Sequence, residues 1–251
     1  VPTSYSYVFD GTAGSVGFPN TNNVLDIGTN AATMEGWFMQ KTNTTSTPMT
    51  WGTYAGGEGQ WGLSTYQGLW RIVYNQSSTS NTYSTGVSIT SNQWYHIAIT
   101  RVGALLTMFI NGVLIETIAY SATAKTTTGG FRIGSGNSSG GIWSTPQYFF
   151  NGLISNVRFI NGTALYTTNF TIPTSPLTTA SQGATGSQVS VLTANSNVFA
   201  DTSGKYISPS VSGTGSTVVS FNPFGITNTK QVSYTPAVNG GSMYFDGGSA
   251  G

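Results

Sequence analysis

Residues 93–118, QWYHIAITRVGALLTMFINGVLIETI, restrict the fold more than any other stretch. An Asn-Gly pair between two alternating apolar runs is the strongest short-range hairpin signal, because a type I′ turn needs left-handed backbone at both central positions. A two-residue turn at Asn111 and Gly112 places Ile110 opposite Val113, Met108 opposite Ile115 and Leu106 opposite Thr117. A similar turn at Gly103 and Ala104 places Ile99 opposite Met108 and Ile97 opposite Ile110. One face of this ribbon is then Ile97, Ile99, Leu106, Met108, Ile110, Val113 and Ile115, which the alternation predicts to be core. The other face mixes Thr100, Thr107 and Glu116 with Ala98, Phe109 and Leu114, and is either an open working surface or one covered by another segment.

The chain has 251 residues and no cysteine, so its core forms without disulfides and no thiolate metal site exists. Charged residues make up only 6% and the net charge is +1, which argues against nucleic-acid partners and membrane electrostatics. Neutral Ser, Thr, Asn and Gly must therefore supply the polar surface, a composition common in extracellular β proteins and virus fibres. Aromatic residues at 13% argue against disorder. No apolar run reaches the roughly 20 residues of a membrane span. Val1 does not open a signal peptide and reads as a processed or excerpted start.

Taken in order, residues 5–10, 24–27, Ala32–Gln40, 61–65, 69–74, 82–89, 131–134 and 153–160 read as strands. Residues 41–59 read as a polar rim loop broken by a short strand at 49–53. Residues 136–148 read as a glycine-rich loop, and 164–166 as one helical turn. Strand upon strand at short spacing predicts an all-β antiparallel jelly-roll sandwich over residues 1–177. From Pro173 the composition shifts to Thr, Ser, Pro and Gly, so 178–241 is expected to be a connector or arm with short strands. Residues 242–251, SMYFDGGSAG, match SYVFDGTAG at 6–14 and are expected to begin a second repeat in a tandem array.

Six motifs in series, YVFDGT, MEGWF, QWYHIAITR, MFINGVLIE, FRIGS and YFFNGLISNVRFINGTALYT, resemble the laminin-G-like branch of the concanavalin-A-like lectin and glucanase superfamily. The resemblance spans about residues 5–170. Residues 189–247 are similar to the region joining tandem copies in structural proteins of tailed bacteriophages. The resemblance implies a sandwich of two curved antiparallel sheets and a role in binding or display at a virion or cell surface.

The superfamily includes glycoside hydrolases, which need two carboxylates roughly 5–10 Å apart. The seven acids are Asp10, Asp26, Glu35, Glu58, Glu116, Asp201 and Asp246. None lies within a strand's reach of another, and the family's hydrolytic strand, two glutamates flanking an aspartate, is absent. The chain is therefore read as no enzyme. His96 and Glu35 read as buried, mutually satisfied groups rather than as a catalytic base and acid. No cofactor is required. Calcium, common on the rims of relatives, would draw on Asp10 and Asp26 if these approach one another, although an Asp before Gly also serves as a turn residue.

Sugar sites set an aromatic plane against a pyranose face and surround it with amide and hydroxyl groups. One rim supplies Trp51, Tyr54, Gln60 and Trp61; the other supplies Asn137, Trp143, Gln147 and Tyr148. Each aromatic also has a plain alternative as core or loop packing. Two functions follow. The first is a non-enzymatic display module of an extracellular assembly, a virion decoration or fibre component, whose partners are copies of itself in a homo-oligomer and neighbouring subunits. The second is a lectin-like adhesin that holds host polysaccharide through the rim aromatics.

Overall fold

The computed structural model describes residues 4–52, 59–75, 80–121, 130–137, 146–205 and 207–224. In chain order its strands are β1 (Ser6–Asp10), β2 (Ser15–Pro19), β3 (Ala32–Gln40), β4 (Ser46–Gly52), β5 (Gln60–Tyr66), β6 (Leu69–Asn75), β7 (Ser80–Ser88), β8 (Trp94–Val102), β9 (Leu105–Ile110), β10 (Val113–Ala119), β11 (Gly130–Ile133), β12 (Gly136–Asn137), β13 (Pro146–Gln147), β14 (Asn151–Asn161), β15 (Val189–Thr193), β16 (Ser210–Ser212) and β17 (Ser216–Val219). One sheet runs β10-β9-β8-β3-β14-β1-β17, with β15 also on β14; the second runs β16-β2-β11-β4-β5-β6-β7. All pairings are antiparallel, and β12 with β13 forms a separate small ribbon.

The core lies between the two sheets because each strand turns alternate side chains inward. From the first sheet come Phe9, Phe38, Ile97, Met108 and Phe159; from the second come Phe18, Met49, Trp51, Trp61, Leu63, Trp70 and Phe131. Trp51 stacks on Phe159 across the interface at 6.1 Å and 8°. Each such side chain contributes roughly 1.5–3 kcal/mol through burial.

The ribbon that the turns predict is present. Ile97 pairs with Ile110 and Ile99 with Met108, and Ile110 pairs with Val113 across left-handed Asn111 (φ 50) and Gly112 (φ 80). A Cβ on Gly112 would fall 2.1 Å from the Phe170 carbonyl oxygen, so the position excludes a side chain on two counts. Beyond Leu114 the pairing departs from expectation. A bulge at Ile115 brings Glu116 opposite Met108 and Ile118 opposite Leu106. Ile118 therefore enters the core, Ile115 is only partly buried, and Val113 is 51% exposed. Glu116 moves to the inner edge, where the Tyr83 hydroxyl of β7 donates to its Oε2 at 2.7 Å.

Part of the ribbon's other face, at Ala98 and Phe109, is covered. The chain after β14 crosses it, with Tyr166 and Phe170 stacked at 3.6 Å and packed on Ala98 and Phe109. The helical turn expected at 164–166 is not formed; among the described residues, short 3₁₀ turns are at Thr21–Asn23 and Ser181–Gly183. Residues 24–27 form no strand either, and Leu25 and Ile27 instead plug the end of the core.

Residues read as a connector add strands to the sandwich. The side of β14 opposite β3 is shared, its first half by β1 and its second half by β15, with left-handed Asn156 (φ 50) at the junction. The Asn156 side chain donates to Ser4 Oγ at 2.7 Å and accepts from Leu177 N at 3.1 Å. β16 pairs with β2 and β17 with β1, so both sheets draw on the late segment. Residues 242–251, the expected second repeat, lie outside the described residues.

Candidate functional site

Alternation in the second sheet that sends Trp61, Leu63, Trp70 and Ile72 inward sends Ser64, Arg71, Val73 and Thr82 outward. Register places Ser64 beside Arg71, and Val73 beside Thr82. Together they floor an open groove of about 320 Å³. Tyr66, 43% exposed at the end of β5, lines it as well. Tyr148, 54% exposed, also lines it; its carbonyl accepts from Thr47 N of β4 at 2.8 Å, which fixes it beside the sheet. Thr45, Ser46, Thr47 and Thr65 complete the lining. The floor is internally braced, since Thr65 Oγ1 donates to the Thr44 carbonyl and lies 2.8 Å from Ser46 Oγ.

Arg71 carries the charge of this groove. Its guanidinium lies 4.9 Å from the Tyr66 ring centroid and donates through Nη2 to Thr82 Oγ1. No carboxylate lines the groove among the described residues.

The expected rim contacts separate here. Trp51 and Trp61 have no exposed surface, and Gln60 is buried with its Nε2 donating to Thr50 Oγ1 at 3.2 Å. The reason is that Trp51 and Trp61 stand in β4 and β5, whose alternation points both indoles into the core. Tyr54 and Trp143 lie outside the described residues. Asn137 sits in β12 opposite Pro146, and Gln147 is exposed in β13 opposite Gly136. Tyr148 is the expected residue that lines the groove. Tyr66 and Arg71 were missed; the signal available was their outward position in the YQGLWR hairpin.

Asp10 and Asp26 do not approach one another. Asp10 pairs with Asn151 at the start of β14, while the Asp26 carbonyl accepts from Asn161 Nδ2 at its end at 2.9 Å. An eleven-residue strand separates them, roughly 30 Å at the usual rise. The Asp10 carboxylate is engaged in a turn, accepting from Thr12 N at 2.8 Å and Thr12 Oγ1 at 2.7 Å, and these bonds hold its pKa below the ordinary value. The pair does not fit a calcium ion, which wants several converging oxygens. Among the described residues no group of three or more His, Cys, Asp or Glu side chains could hold a metal.

Glu35 and Glu116 do not form a hydrolytic pair. They stand on strands three steps apart, roughly 14 Å by strand spacing alone, and face opposite sides of the sheet. Glu35 is fully buried in a network with Arg158, His96 and Tyr166 under the covering chain. Burial opposes its ionisation most strongly, yet the His96 hydrogen bond and the Arg158 charge together hold the carboxyl below its ordinary value.

No curated protein matches the chain in sequence. Among solved structures, the heptameric SAP-like pentraxin of Limulus polyphemus is similar over 87% of this chain and 95% of its own, with 14% identity and a TM-score of 0.55. A Bacteroides ovatus protein proposed to bind carbohydrate is similar over 87% of this chain and 60% of its own, with 18% identity and a TM-score of 0.56. At these identities the likeness is one of fold. A laminin-G model described as the concanavalin A-like lectin/glucanases superfamily matches residues 10–168, more than half of the chain, and the two-sheet sandwich agrees with it. The chain belongs to that superfamily, in its laminin-G branch.

Proposed function

We propose that the chain is a non-enzymatic carbohydrate-binding module that works outside the cell, gripping a saccharide in the groove on the outer face of the second sheet. The observation that carries this reading is the pair of exposed tyrosines, Tyr66 and Tyr148, lining one groove together with six Ser and Thr residues, Arg71 and Val73. Rings of this kind offer flat apolar surface to a pyranose while hydroxyls meet its rim. The carbohydrate-binding proposal for the Bacteroides ovatus relative supports the same reading. Among the described residues the acids are engaged singly, in a turn, in a buried network or at a sheet edge, which supports binding without hydrolysis. The finer setting is a virion surface, with host polysaccharide as the partner; low charge and neutral polar composition support it.

Titration against the strongest hits of a glycan array tests the groove. Tyr66→Ala and Tyr148→Ala are each expected to weaken binding about tenfold or more, with the melting temperature little changed, because both rings are exposed. Unaltered affinity in both variants places the sugar elsewhere.

A structural reading, display as one subunit among copies of the chain, draws on a different surface. Val102, Leu105 and Leu114 are exposed around a hollow of about 260 Å³ on the outer face of the ribbon. Sedimentation of the purified chain decides it: a discrete oligomer lost on Leu105→Lys supports packing of copies through this edge, and a monomer at all concentrations removes it.

A further inference from the structure

We infer that the groove selects saccharides bearing an anionic group, a carboxylate or a sulfate, and that Arg71 receives it. This rests on the carbohydrate reading and narrows it. Arg71 is the charged side chain of the groove, and its surroundings hold it ready without neutralising it. Stacking on Tyr66 and the bond from Nη2 to Thr82 Oγ1 fix the plane of the guanidinium, so little rotamer entropy remains to be lost on binding. Nη1 makes no hydrogen bond among the described residues, which leaves a donor for an incoming oxygen. Glu116, on the edge strand of the other sheet, is held by Tyr83, and Tyr83 stands on the opposite face of β7 from Thr82.

Other arginines of the chain are differently placed. Arg158 is paired with Glu35, and Arg101 donates to the Gly28 and Gly103 carbonyls. Arg132 is buried beside Ser135, where desolvation pulls its pKa down to about 10. Arg71 alone of these combines an open cavity lined by exposed aromatic rings with an unused donor. Charged and bidentate contacts from guanidinium to carboxylate or sulfate are stronger than neutral ones. They convert a general sugar groove into a selective one.

The test compares twins differing only in charge, after a glycan array holding neutral and acidic saccharides: oligogalacturonate against its methyl ester, and dextran sulfate against dextran. The parent chain is expected to bind the acidic twin of at least one pair roughly tenfold to hundredfold more tightly, the span of one charge-assisted contact. The pair that shows the preference identifies carboxylate or sulfate. Arg71→Gln is expected to bring the acidic twin to the level of the neutral one, and Arg71→Lys to restore part of the difference. Lys205→Gln, at a surface site away from the groove, is expected to change nothing. Equal binding of both twins overturns the anionic preference and leaves the carbohydrate reading intact. A preference that survives Arg71→Gln, or falls equally in Lys205→Gln, overturns the assignment to Arg71. Absence of binding to every saccharide on the array overturns both readings.

Discussion

Burial of Glu35 would by itself keep the carboxyl neutral, yet Arg158 donates to Oε1 from Nε at 2.9 Å and from Nη2 at 2.6 Å. Tyr166 donates to Oε2 at 2.9 Å, and His96 Nε2 lies 3.2 Å from the same oxygen. The folded carboxyl therefore titrates below its ordinary value of 4.5. A group whose folded pKa is depressed contributes stability that is complete above its unfolded value and is lost as pH falls through the folded one. Melting temperature is expected to be level above about pH 4.5 and to fall below it. Glu35→Gln flattens that acid limb, at the cost of a lower melting temperature at neutral pH, where Arg158 then lacks its counter-charge. Arg158→Met, which strands a buried carboxylate, is expected to cost about 3–5 kcal/mol. Thermal melts of the parent and both variants across the acid range check this; an unchanged acid limb in Glu35→Gln assigns it to other groups. The burial of Glu35 was legible from its position in mid-strand, and that of His96 from the WYH motif at a strand start, where the family resemblance implies a structural histidine. Arg158 was not, because its partnership joins β14 to β3 across a distance in sequence that no local pattern encodes. Exposure divides similarly: Tyr148 is exposed as a loop aromatic would be, whereas Trp51 and Trp61, read on short strands, face the core because alternation in a short strand does not say which of its two faces is inside.

At the scale of elements, the ribbon shows which parts of register a turn controls. Pairs close to Asn111 and Gly112 follow from turn length, and they occur as expected. The bulge at Ile115 answers to a different requirement. β10 is the outermost strand of its sheet, and a long, regular, apolar edge is a template for pairing with another chain. One extra residue bends and twists such an edge. Nothing in VLIETIA announces the insertion, because its cause is the position of the strand at the edge of the finished sheet. Deleting Ile115 leaves Glu116 opposite Met108 and every later pair intact while removing the irregularity. The variant is expected to fold with a modestly lower melting temperature and to self-associate more readily as concentration rises, as read by light scattering. Scattering that matches the parent at every concentration would show that the edge is protected by other means.

For the whole molecule, the two-sheet sandwich was legible because strand periodicity, hairpin turns and the six family motifs agree with one another over residues 5–170. The late strands were hidden for the opposite reason: Ser, Thr and Gly around Val189–Thr193 and Ser216–Val219 carry little local preference, and only the vacant edges of β14, β1 and β2 make strands of them. Their packing is nevertheless substantial. Leu177, Val189 and Leu192 close over Ile160 in a cluster of their own, each contributing roughly 1.5–3 kcal/mol by burial. Arg158 Nη1 adds a second tie, donating to the carbonyls of Thr178 at 2.6 Å and Ser181 at 2.9 Å. A fragment ending at residue 177, the boundary that composition suggests, would thus expose Ile160, unpair half of one side of β14 and leave a buried guanidinium short of acceptors. With domain stability only about 5–15 kcal/mol, such losses are expected to unfold or aggregate it. A fragment ending at residue 224 keeps all of these contacts and is expected to melt as one cooperative unit. Calorimetry on the two fragments separates the outcomes, and a 1–177 fragment that melts with the temperature and cooperativity of the longer one would show the late strands to be accessory.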